Sequence, residues 1–154
     1  MKSFLTQNLN AVESAVAQLC AALRGDAQSD AGQARINTTA TDLKSALQAL
    51  GDSQSRIESA GDDAKKKALQ DLIGPFSKGL SQFAKFISNI CERGSLPASA
   101  VSDLKPVLTK YEQVQKSYQK LATDSGLNID LYMPGMSNTV PKNVEEAFEK
   151  LGGR

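Results

Sequence analysis

Leu5, Leu9, Val12, Val16, Leu19 and Leu23 follow one another at steps of 4, 3, 4, 3 and 4. On a helix of 3.6 residues per turn such steps lay the apolar side chains along one stripe, and that stripe must be buried against another helix. The spacing predicts a helix from about Ser3 to Arg24, capped by Ser3 and ended by a left-handed Gly25. The rhythm returns at Ile36, Ala40, Leu43, Leu47 and Leu50 and stays in phase through Gln54 to Ile57. A second helix is therefore expected to run through Gly51 to near Gly61, with the interior glycine costing about 1 kcal/mol. A break at Gly51–Ser53 is the competing reading.

A third series, Leu69, Leu72, Phe76, Leu80, Phe83, Ile87 and Ile90, begins after Asp62 and Asp63, whose carboxylates suit a helix N-terminus. Its spacing slips at Gly74–Pro75, where proline removes a backbone donor and crowds the preceding turn, so a kink or short break is expected there. Beyond Gly94, Pro97 fits a first helical turn. Leu104, Val107, Tyr111, Val114, Tyr118 and Leu121 then continue to a stop before Gly126, with Pro106 restarting or bending the helix. Residues 126–141 carry Gly, Asn, Asp and Pro without helical period and read as a long loop. Residues 142–151 read as a short helix with Val144, Phe148 and Leu151 on one face and Asn143 and Glu146 at capping-box spacing. The prediction is an all-α fold in one domain over 1–154, an elongated antiparallel bundle of four long helices with a kinked third helix and a short C-terminal helix. Leu, Ile, Val and Phe make up 35 of the 154 residues, enough for one modest core.

The composition narrows the chemistry. There is no histidine, which removes the commonest general base and metal ligand and every triad built on an imidazole. Gly74–Gly79 contains the residue types of a phosphate loop in the wrong order and with no preceding strand. Asp124, Asn128 and Asp130 are spaced like calcium-loop ligands, but Gly126, Ile129 and Gly135 occupy the third, sixth and twelfth positions, where that loop needs other residues. Asp62–Asp63 and Glu145–Glu146 sit at expected helix starts and are accounted for by the helix dipole. Cys20 and Cys91 follow core positions without CxxC spacing and read as free thiols. No secretory signal is visible in Met1–Leu9, no apolar run approaches the roughly 20 residues that cross a bilayer, and Asn37-Thr38-Thr39 would be glycosylated only on a secreted chain. A soluble, cytoplasmic protein with no catalytic residue, cofactor or metal is the expectation.

Two surfaces stand out. The formal charge is +1, yet residues 64–122 hold ten basic and four acidic side chains, so the middle of the chain is a basic hairpin in a neutral protein. Lys78, Lys85, Lys116 and Lys120 lie opposite apolar core positions there and could meet an anionic lipid surface. Nucleic acid is disfavoured, since aromatics to stack bases are few and no recognised module is present. The second surface is the apolar loop around Leu131, in which Tyr132, Met133 and Met136 are candidate partner-binding anchors. Packing of this loop across the bundle end is the alternative. The function expected is a non-catalytic protein-interaction or scaffolding module that receives another protein through helix-groove contacts. Peripheral binding to anionic membranes, carriage of a small apolar ligand in the bundle core, and closure of exposed seams by self-association are alternatives.

Overall fold

The computed structural model describes residues 2–94 and 96–153, with side chains from Phe4 onward. The fold is all-α, and no strand occurs among the described residues. Four long helices, α1 (Lys2–Arg24), α2 (Asp30–Asp52), α4 (Asp62–Arg93) and α5 (Ala98–Asp124), alternate with the short α3 (Gln54–Glu58) and are followed by α6 (Ile129–Tyr132) and α7 (Met136–Lys150). α1 packs on α2, α2 on α5, α5 on α4 and α4 on α1, and α7 lies against α4.

Cross-helix contacts give the directions. Asn8 Nδ2 donates to Ser53 Oγ at 2.8 Å and the Arg56 guanidinium lies 3.9 Å from the Phe4 ring centre, so α1 is antiparallel to the α2–α3 segment. Gln115 Nε2 donates to Ser77 Oγ at 3.2 Å while Tyr111 packs on Phe83, which makes α4 and α5 antiparallel. Between α2 and α5 the numbers rise together, from Ser99 on Gln33 (2.9 Å) through Asn37 on Asp103 (3.0 Å) to Lys110 on Gln48 (2.5 Å). These neighbours are parallel. So are α1 and α4, where Leu5 and Leu9 flank Ala68 and Leu72 at one end and the Arg24 guanidinium lies 4.8 Å from the Phe86 ring centre near the other. Consecutive long helices thus reverse direction, but two of the four lateral contacts join parallel helices.

The stripes make the core. Leu5, Val12, Leu19 and Leu23 from α1 meet Ile36, Leu43, Leu47 and Leu50 from α2, while Phe76, Leu80, Phe83 and Ile87 from α4 meet Leu104, Val107, Tyr111 and Tyr118 from α5. Burying each such side chain contributes about 1.5–3 kcal/mol. Tyr111 is wedged between Phe76 and Phe83, with ring centres 5.1 and 5.7 Å away.

Several expectations about local structure are corrected. The second helix is not continuous to Gly61: it ends at Asp52 and resumes at Gln54, although Ile57 keeps its phase and is buried. α4 runs unbroken for 32 residues through Gly74–Pro75, so of the kink or short break expected there, the break is absent. The buried stripe on either side, Leu69 to Phe76 and Leu80 to Ile87, holds it to the core although Pro75 offers no N–H to the Asp71 carbonyl. α5 likewise runs through Pro106, and Pro97 stands just before its first residue instead of inside it. Gly25 has no positive φ. The expected cap at Ser3 lies outside the described side chains, and the helix already begins at Lys2.

The largest departure is at 126–141, which is mostly helical and not a loop. Asn128 caps α6 by accepting from the Asp130 N–H at 3.1 Å, and Gly135, at φ 73°, makes the left-handed turn from which α7 starts at Met136. Pro141 lies inside α7. The helix tolerates the lost hydrogen bond because Val140, Val144, Ala147 and Phe148 bury one continuous face. Asn143 is consequently no cap. It sits within α7 and donates to Ser81 Oγ of α4 at 2.5 Å.

A candidate binding groove between two parallel helices

The four lysines are exposed, as their spacing predicts. Lys116 pairs with Glu112 at 3.6 Å and Lys120 with Asp124 at 4.0 Å, each within α5. Lys78 and Lys85 form no ion pair among the described residues. They lie three residues before and four after Ser81, the residue that receives Asn143, so they border the seat of α7.

Of the loop anchors, Met133 is 2% exposed and belongs to the core, its sulfur accepting from Ser77 Oγ at 3.4 Å. It cannot reach a partner in this conformation, which corrects that expectation. Tyr132 is half-buried, and its hydroxyl accepts from Gln70 Nε2 at 2.9 Å. Met136 is half-buried against the core, and only Leu131, 70% exposed, projects as a large apolar side chain. The segment is packed down because Met133 and Tyr132 have polar partners on α4 as well as apolar ones.

Gly74–Gly79 lies within α4 and forms no loop. Asp124 ends α5, and Asp130 accepts from Ser137 Oγ at 3.3 Å. Among the described residues no three His, Cys, Asp or Glu side chains gather in a way that would hold a metal ion. No helix among them is long and apolar enough to cross a membrane. Both cysteines are free thiols.

What sequence reasoning missed is the seam between α1 and α4. Three depressions follow one another along it. The first, between Leu5, Leu9, Ala68 and Leu72, is a dimple of about 30 Å³, and the last, of about 300 Å³, lies between Leu23, Arg24, Ile90 and Arg93. The central one is a groove of about 600 Å³, within the size range of ligand sites. Val16, Ala17, Cys20, Phe83 and Phe86 give it an apolar lining, Glu13, Arg24 and Lys78 stand at its rim, and Tyr111 reaches into it from α5. Leu9 and Val16, two members of the first stripe, stay half-buried because they face this seam. A signal was present in Phe86, an aromatic residue lying outside the third apolar series.

Tyr111 is 1% exposed, and its hydroxyl forms no hydrogen bond to protein among the described residues. Gly79 makes room for it: a Cβ there would stand 2.8 Å from that oxygen. Tyr118, two helical turns on, is equally buried but donates to the Leu50 carbonyl at 2.5 Å. Burial, with Glu13 and Cys20 adding to it, pushes the Tyr111 phenol well above its ordinary range, so it remains a neutral donor. Burial also raises the Cys20 thiol, with the Arg24 guanidinium pulling it partway back. A raised thiol is a poorer nucleophile at neutral pH.

Comparison of the chain with known protein families, with curated proteins and with solved structures finds no match.

Proposed function

We propose that this chain is a non-catalytic interaction module, a four-helix bundle with α7 laid on its α4 side, whose working surface is the seam between α1 and α4. The observation that carries this reading is the alignment of three depressions along two parallel helices. From Leu5 to Arg24 the seam extends roughly 30 Å, the length of a five-turn helix. Helix-in-groove recognition reads apolar anchors at spacings of three, four and seven residues, and the central and last depressions have the room for such anchors while the first offers a shallow apolar contact. Acidic Asp71 borders the first depression and Arg24 and Arg93 the last, which favours a helix lying with its own acidic end at Arg24 and Arg93.

The membrane alternative draws less support, since two of its four lysines have carboxylate partners on α5 and the other two border α7. The test is a benzophenone-bearing residue placed at Ala17 in the groove or at Ala49 on the exposed face of α2, photolysed in an extract of the native host. Partner adducts at Ala17 and none at Ala49 are expected. Equal adducts at both, or none at Ala17, would contradict the reading.

A further inference from the structure

The central depression differs from its two neighbours in having a polar floor. A hydroxyl on a residue that is 1% exposed faces the groove without a protein partner among the described residues, and an occupant that shuts water out of the groove has to supply it with an acceptor. Phe83 and Phe86 offer ring surface beside it, and the Glu13 carboxylate stands at the rim. An occupant with a simple apolar side chain would seal the hydroxyl in without an acceptor. A carboxylate occupant would accept from Tyr111 and pair with Arg24 or Lys78, but it offers the Glu13 carboxylate no donor. A hydroxyl on an aromatic ring satisfies both sides, because it accepts from Tyr111 and donates to Glu13 while its ring covers the apolar lining.

We infer that the central depression is a subsite for a phenol, supplied by a tyrosine of the partner helix that lies along the α1–α4 seam. This rests on the reading of the seam as a helix-binding groove. Tyrosine is also among the residues most often found as interface anchors. Gly79 is part of the device, since any side chain there would displace the Tyr111 hydroxyl from its place beneath the groove.

The experiment uses the whole chain and two probes, p-cresol for the tyrosine side chain and toluene for phenylalanine, each titrated by amide chemical shifts. At matched concentration p-cresol should shift the amides of Val16, Ala17, Gly79 and Phe83, with toluene bound at least about tenfold more weakly, a difference of about 1.4 kcal/mol. In Tyr111→Phe the preference should collapse, while the melting temperature holds or rises because the deleted hydroxyl bonds to nothing in the fold. Persistence of the preference in Tyr111→Phe, or p-cresol shifts absent from the groove, overturns the inference. The adduct at Ala17 supplies the second arm. A partner segment with a tyrosine within one helical turn of the attachment point supports the inference. A segment without one overturns it and leaves the groove reading standing. Phenol selectivity with no adduct at Ala17 would refute the helix-binding reading instead, and with it tyrosine as the source.

Discussion

The Tyr118 hydroxyl of α5 donates a 2.5 Å hydrogen bond to the backbone carbonyl of Leu50, near the end of α2. Three residues further on, at Ser53, the helix pauses, and the Ser53 N–H turns to Leu50 and Ala49 in a tightened last turn. A tyrosine 68 residues away thus satisfies a carbonyl at the point where the second helix gives way to α3.

Tyr118→Phe should therefore leave a buried carbonyl short of one donor and lower stability by about 1 kcal/mol, a fall in melting temperature of roughly 2–4 °C for a chain of this size. Hydrogen exchange at residues 54–58 should quicken. A thermal melt identical to that of the parent protein would show that the bond contributes nothing.

Met133→Ala removes a fully packed thioether that touches Ser77. It should cost about 2–5 kcal/mol by the general cost of deleting a buried methionine. Urea denaturation measures it. A loss below about 0.5 kcal/mol would mean that α6 is a detachable surface segment.

These two positions show how far local pattern reaches. The 4-3 stripes identify the four long helices because burial of a continuous apolar face is a local property, and Leu19, Leu43, Leu80 and Val107 are all core. The pause at Ser53 lies beside the bond from Tyr118, on a helix distant in sequence, and was legible only as an alternative. Residues 126–141 look like a loop because Gly135 and Pro141 break helices in isolation, whereas the α4 surface that buries Val140 and Val144 is distant in sequence. The groove was hidden for the same reason. A period places Leu9 and Val16 on the buried face without saying that α1 and α4 stand apart where those residues meet them.

Leu19→Asp, at a position that is 0% exposed in the middle of the α1 stripe, should place an unpaired carboxylate in the core and unfold the domain at neutral pH. Far-UV circular dichroism reads the result. A helical spectrum with a normal melt would show that α1 does not close the core.

Alkaline stability follows from the two buried phenols. Burial raises both Tyr111 and Tyr118 above the ordinary value of 10.0, so the neutral forms are favoured in the folded state. The contribution is fully present below pH 10, where the unfolded phenols are also neutral, and is lost as pH rises past 10 toward the folded values. Tyrosinate absorbance from these residues should accordingly appear together with unfolding. Combining Tyr111→Phe with Tyr118→Phe should move the alkaline unfolding midpoint to higher pH, and an unmoved midpoint would mean that other groups set it.

The central claim is that the α1–α4 seam receives a partner helix, and Ala17→Arg addresses it most directly. Ala17 is exposed and lines the groove, and arginine is a good helix former, so the fold should be preserved while the guanidinium obstructs the central depression. The decisive measurement is the affinity of the partner segment captured at Ala17 for this variant and for the parent protein. Binding at least about tenfold weaker, about 1.4 kcal/mol, with an unchanged melting temperature, is the predicted result. Equal affinity for the two proteins would contradict the account and place the interface on another face.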